Sequence, residues 1–186
     1  MQFEVMKHIA LSIGRQAESM LHAELGAKVR VAYEYSPDLK KAPGAITVVH
    51  AGIQGRAGNN EREYERDEKG GERYRNSPLL LKARYLISAW APAPEDQALL
   101  GLVLRTFHDD STLPSSEDDE AVGYQGAPQL ELQALPFDEH KALAESLGMP
   151  LAPSICYWVD FAIQSARTTP IKRVRERVID FRKIDG

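Results

Sequence analysis

Residues Ser154 to Gln164 read SICYWVDFAIQ, with Ile155, Tyr157, Val159, Phe161 and Ile163 alternating against Cys156, Trp158, Asp160 and Ala162. Alternation with a period of two puts the first set on one face of a β-strand and the second on the other. A face that uniformly apolar has to be covered by another layer, and the rest of the chain supplies both strands and helices. Pro78 to Ala91 (PLLLKARYLISAWA) is the most apolar strand candidate and is closed by Pro92 and Pro94. Ala45 to Ile53 (AITVVHAGI) is apolar on both faces, which predicts a central strand. Val29, Val31, Tyr33 and Tyr35 alternate with Lys28, Arg30, Ala32 and Glu34, and Gln129 to Leu135 alternates as well.

The covering layer shows as a change of period. From Phe3 to Leu25 the residues Val5, Ile9, Ile13, Ala17, Met20 or Leu21, and Leu25 recur at helical spacing, and Gly26 follows as a left-handed stop. Between Glu95 and His108, Leu99, Leu100, Val103, Leu104 and Phe107 share one side of a second helix, with Glu95 and Asp96 in its first turn. Asp138 is placed to cap a third, short helix that carries Leu143 and Leu147 and ends at Gly148. Ser36-Pro37-Asp38 and Pro43-Gly44 are turn chemistry, and Asp109 to Gln125 is an acidic loop. The expected fold is α/β: a single mixed sheet covered by helices over residues 1–166, with an arm at 55–76 and a basic tail at 167–186.

Arm and tail stand apart by composition. Gly55 to Asn76 has only Tyr64 and Tyr74 as large apolar residues, and its charges nearly cancel. Burial within such a segment cannot offset the entropy of ordering it, so it suits a hairpin-like arm, with Gly70-Gly71 at the tip, that orders on a partner. From Arg167 the chain carries Arg167, Lys172, Arg173, Arg175, Arg177, Arg182 and Lys183 against Glu176, Asp180 and Asp185. Its β-branched residues and Thr168-Thr169-Pro170 favour a strand, while Ile171, Val174, Val178 and Phe181 also fit a helix. Arg62, Arg66 and Arg73 in the arm and Arg173, Arg175 and Arg177 in the tail are the expected protein-interface residues.

Composition narrows the function classes. The chain has 186 residues, 43% hydrophobic and 27% charged, enough for one sizeable core. Its formal charge of −4 argues against nucleic acid as the main partner. No run approaches the roughly 18 apolar residues of a membrane span. Lys7, His8, Arg15 and Glu18 interrupt the N-terminal apolar positions, which is unlike a signal peptide, so a cytoplasmic origin is expected. Cys156 is the only cysteine, lies in an apolar run and reads as a buried structural thiol.

Little in the sequence carries chemistry. Gly52-x-x-Gly55-x-x-Gly58 lacks the dinucleotide-binding spacing, and no amphipathic helix follows it. His108-Asp109-Asp110 is explained locally, by a helix C-terminus and the start of a loop, rather than as a metal or acid/base site. Glu117-Asp118-Asp119-Glu120 lacks the glycine of a calcium loop. No catalytic residue, cofactor or metal ligand is expected, and the chain reads as an assembly protein and not an enzyme.

Two blocks carry a resemblance. Pro78-Leu79-x-Leu81-x-x-x-Tyr85-Leu86-x-x-Ala89 is followed by Leu99-Leu100-Gly101-x-x-Leu104-Arg105-x-x-His108-Asp109, and then by Leu147-Gly148, Pro150-Leu151 and Ser154-x-x-Tyr157. In this order they resemble the cap, or tail-terminator, proteins of phage-tail-like extracellular contractile injection systems. The resemblance implies a non-catalytic homo-oligomer, a ring of six copies, seated on the distal end of the tube and sheath. Such a ring ends polymerisation and holds the sheath extended, assembling in the cytoplasm and then becoming part of a particle that can be released. Leu79, Leu81, Tyr85, Leu99, Leu100 and Leu104 carry the resemblance and are expected to be core. The chain departs from the family pattern by ending soon after its basic tail and by a longer acidic stretch from Ser115 to Gln125. A neck or head–tail joining protein of a phage-like particle, and a small enzyme with a site assembled only in space, remain as alternatives.

Overall fold

A computed structural model describes residues 4–26, 29–42, 44–55, 62–66, 72–114, 124–163 and 168–171. These belong to two compact units, Met1–Gly58 with Pro78–Gln164, and Asn59–Ser77 with Ser165–Gly186. In the first unit a mixed five-stranded sheet is built from β1 (Arg30–Ala32), β2 (Ala45–Gly55), β5 (Leu79–Trp90), β7 (Ser154–Ile163) and β6 (Tyr124–Gln133), in that spatial order. β1 runs parallel to β2 and every other pair is antiparallel. The second unit holds β3 (Arg62–Arg66), β4 (Glu72–Asn76) and β8 (Thr168–Pro170), which form a separate three-stranded antiparallel sheet. The expectation of a single sheet is therefore corrected. Among the described residues β4 pairs with β3 on one side and with Thr168–Pro170 on the other.

Among the described residues are three α-helices: α1 (Val5–Leu25), α2 (Glu95–Asp109) and α3 (Phe137–Ser146). Val5, Ile9, Ile13, Ala17 and Leu21 of α1 are buried at four-residue intervals and pack with Val103 and Phe107 of α2. Both helices cover the sheet face formed by Ile46, Val48, Tyr85, Ile87, Tyr157, Val159 and Phe161. Complete burial of a side chain such as Ile13 contributes roughly 1.5–3 kcal/mol, and this stripe repeats it along α1. Gly26 ends α1 at φ 63°, its N–H donating to the His22 carbonyl, where an L side chain would be strained.

The opposite face has a smaller core of Leu39, Ala45, Leu86, Trp90, Ala144 and Met149. Leu39 comes from a 3-10 helix, Pro37–Lys41, and Ala144 from α3. This second core explains why β1 is shorter than the alternation from Val29 to Tyr35 predicts. Val29 and Val31 pack towards α1, but Ala32 and Tyr35 belong to the other core, with the Tyr35 ring 5.0 Å from that of Trp90. The chain thus crosses from one face to the other after Tyr33, whose ring still lies against Gly14 of α1. Asp138 does not cap α3; Pro136 occupies the cap position and Asp138 lies in the first turn. β6 begins at Tyr124, five residues before the expected strand. The basic-tail strand expected beyond Ile171 and the acidic run 115–123 lie outside the described residues.

Candidate interaction site

The polar members of the alternating strands meet on the part of the main sheet's second face that lies beyond the Leu86–Trp90 core. Cross-strand register aligns Gly52, Arg84, Trp158 and Glu131 in one row and Gln54, Lys82, Asp160 and Gln129 in the next. Lys82 Nζ donates to Glu131 Oε2 and lies 3.8 Å from Asp160 Oδ2. Its side chain is 18% exposed, against 65% for Glu131 and 37% for Asp160, so a partly desolvated ammonium is held between two wetter carboxylates. Trp158 is shared by two cations: Lys82 Nζ lies 5.8 Å, and the Arg84 guanidinium carbon 5.3 Å, from its ring centroid. A β-bulge between His50 and Gly52 sets a glycine at φ 150° opposite Arg84, leaving that position without a side chain.

Beside this face, Cys156 is buried and its Sγ lies 3.5 Å from Gln133 Oε1. Burial pushes the thiol up to about 11, against a smaller opposite pull from the Arg84 charge. A thiol held protonated in this way lacks the thiolate that nucleophilic chemistry needs. On the helix-covered face, an open groove of about 510 Å³ runs between α2 and β6, with Leu104, Phe107, His108, Leu130, Leu132 and Tyr157 in its walls. Its walls are mostly apolar and carry no paired acid and base. Asp110 has a local role, its Oδ1 accepting from the Thr112 N–H and its carbonyl from Gln16 Nε2. Among the described residues no three His, Cys, Asp or Glu side chains converge as metal ligands, and no helix is long and apolar enough to cross a membrane.

Of the expected interface arginines, Arg62, Arg66 and Arg73 belong to the β3–β4 hairpin. Arg62 begins β3 opposite Asn76, Arg66 lies opposite Glu72, and Arg73 of β4 lies opposite Glu65. Alternation puts Arg66 on the same face as Tyr64 and Tyr74, whose exposed rings meet edge-on at 6.4 Å, and puts Arg73 on the other face. Along the backbone the register sets acid opposite base, Glu63 with Arg75, Glu65 with Arg73 and Arg66 with Glu72. Arg173, Arg175 and Arg177 lie outside the described residues. Of the residues that carry the resemblance, Tyr85 and Leu99 are buried, and Leu81 and Leu100 pack against the core. Leu104 lines the groove, and Leu79 is 54% exposed, contrary to expectation.

Periodicity within single strands does not bring Arg84, Lys82 and Trp158 together. The available signal was the pair of polar residues at i and i+2 within the apolar run LLLKARYL, together with Trp158 and Asp160 at the same spacing.

This sheet domain presents surfaces for contact and no catalytic constellation among its described residues. The chain belongs to the family described as the Pvc16 N-terminal domain, whose model matches residues 16–176. Its fold is similar to that of a PVC sheath/tube terminator, solved in the extended state of an extracellular contractile injection system, at 15% identity and a TM-score of 0.63. That similarity covers 94% of this chain and 65% of the other. It is similar also to the tube-terminating cap of the anti-feeding prophage, at 16% identity and a TM-score of 0.63, over 93% of this chain and 60% of that one. The chain thus spans a little under two thirds of either terminator. No curated protein matches the sequence.

Proposed function

We propose that this chain is the body of a structural terminator: a non-catalytic cap that closes the tube and sheath of a contractile, phage-tail-like injection particle. One observation carries the reading. The family match and both terminator folds extend over nearly the whole described sheet domain, not over one common substructure. The occupied cores, the protonated Cys156 and the apolar groove agree with a role played through surfaces. A cap that stops growth needs one contact that closes on itself between neighbouring copies and a second that meets the last tube or sheath layer. A ring of six copies fits that geometry.

The hairpin of β3 and β4 acts as the arm between copies, with Arg62, Arg66 and Arg73 at its contact. The basic tail, through Arg173, Arg175 and Arg177, meets an acidic surface of a neighbouring subunit. Two experiments test this. Deleting the gene and imaging particles by negative-stain electron microscopy should give tubes of uncontrolled length or particles without extended sheath; finished particles of unchanged length would refute the terminator role. Replacing Arg173, Arg175 and Arg177 together by Glu should abolish capping while the isolated protein stays folded by circular dichroism. Normal capping by that variant would remove the tail from the mechanism.

A further inference from the structure

We propose that the outer edge of β6 at Leu132 is a strand-docking site, and that its occupant is Arg173-Val174-Arg175 of the basic tail of a second copy. The inference deepens the reading of a cap closed by contacts between neighbouring copies, and rests on it. β6 is an edge of the main sheet, with β7 on its inner side. Its outer side is paired once among the described residues, by the antiparallel bridge from Thr112 to Gln129. There the Leu113 N–H donates to the Pro128 carbonyl, and the Leu130 N–H to the Ser111 carbonyl. Backbone groups of alternate residues point to the same side of a strand, so the N–H and C=O of Leu132 also face outward. No described strand meets them, and the bridging segment runs away from Leu132, towards the start of β6. The first half of this edge carries the features that keep sheet edges from pairing: a register shift between Gln125 and Gln129, Pro128 with no N–H, and the bridge itself. Leu132 has none of them and is 55% exposed. The opposite edge of the sheet, β1, is only three residues long.

The edge also sets the side-chain chemistry of its occupant. A residue paired with Leu132 shares its face, and its side chain enters the apolar groove beside Leu104, Phe107 and Leu132. The residues before and after it turn to the other face, beside Gln133 and Glu131. Glu131 is the only charged residue of β6, and its side chain is 65% exposed. Asp109 and Asp110 are exposed at the C-terminal end of α2, just before Ser111 reaches the edge. An apolar residue flanked by two cations fits this setting whichever way the segment runs, because one cation meets Glu131 in either direction. Arg173-Val174-Arg175 has that pattern. Edge and tail are different parts of the chain, so the contact between copies is head-to-tail and can close into a ring.

The test compares the wild-type chain with Leu132→Pro and Val174→Asp, with sedimentation velocity as the readout. The Leu132 N–H faces away from β7, so Leu132→Pro deletes the outward donor and leaves the β6–β7 ladder intact. Wild type should associate as its concentration rises, and each variant alone should lose that association. Mixed in equal amounts, the two variants should form a one-to-one dimer and nothing larger, since one intact edge and one intact tail remain to meet. Leu132→Asp keeps the donor and places a charge in the groove; it should behave as Leu132→Pro does, which guards against a misfolded proline variant. Wild type that stays monomeric at millimolar concentration, or a mixture that stays monomeric, would overturn the contact. Association of Leu132→Pro and Leu132→Asp like wild type would overturn the edge as the site, and the same result for Val174→Asp would overturn the tail as its occupant. A dimeric mixture together with finished particles after gene deletion would keep this contact and remove the terminator reading. The converse pair of results would keep the terminator and remove the contact.

Discussion

Replacing Tyr85 by Phe tests how the main sheet is joined to its first helix. Tyr85 is fully buried in β5, and its hydroxyl donates to the Met6 carbonyl of α1 at 3.0 Å. Burial raises its pKa, so the phenol is protonated at any pH the fold meets near neutrality. Removing the oxygen deletes one neutral hydrogen bond but orphans nothing, because the Met6 carbonyl lies where the helical ladder supplies its own i+4 donor. The cost should therefore be the net value of one such bond, about 0.5–1.5 kcal/mol, and not the larger penalty of an unsatisfied buried group. For a chain of this length that lowers Tm by about 2–4 °C per kcal/mol. Tyr85→Ala instead empties ring volume beneath α1 and should cost about 3–5 kcal/mol, a large part of the total stability of a typical domain. Urea unfolding followed by circular dichroism and tryptophan emission, with the m-value unchanged, measures both variants. A loss above about 3 kcal/mol in Tyr85→Phe, or a gain in stability, would refute this account of the α1–β5 contact.

Other consequences concern titration and the surface. With Cys156 at about 11 instead of 9.0, its thiolate fraction at pH 8 falls about a hundredfold, so a maleimide should react at least that much more slowly with native than with urea-unfolded protein. Equal rates would show that the thiol is neither buried nor protonated. Cys156 and Tyr157 are raised to about 11 and about 12, both by burial, so the folded state holds these protons more tightly than the unfolded one. Their contribution is complete below about pH 9 and is lost as pH rises through the folded values, so the urea midpoint should fall across that alkaline range; a rising midpoint would contradict it. Arg105→Ala removes a 2.6 Å ion pair with Glu24, but the two side chains are 55% and 46% exposed. Solvent screening should hold the loss within about 1 kcal/mol, and a larger change in thermal stability would point to a packing role for Arg105.

Much of the main domain was legible in the sequence because its elements have clean periods. The four-residue stripe of α1, the left-handed stop at Gly26 and the alternation of β7 each reflect local geometry, and the structure has all three. The mistakes fall where local pattern met tertiary context. Tyr33 keeps the face that the alternation gives it, against Gly14 of α1, but Tyr35 leaves it and lies near Trp90 on the opposite face. Asp138 has the right chemistry for a cap, but Pro136 takes the cap position. Leu79 begins the most apolar strand and is nevertheless 54% exposed, although Ile163 opposite it packs against the core.

By itself the sequence determined the α/β character, the faces of α1 and β7, the buried state of Cys156 and the resemblance that the family match bears out, since each depends on the order and spacing of residues along the chain. Only the tertiary structure decided strand order and register. Those two alone align Arg84 between Gly52 and Trp158, give both Glu131 and Asp160 to Lys82, and set acid against base in the β3–β4 hairpin. The physical reason is that these rows bring together residues from strands far apart in sequence, and no periodicity within a single strand specifies which residue of another will lie beside it.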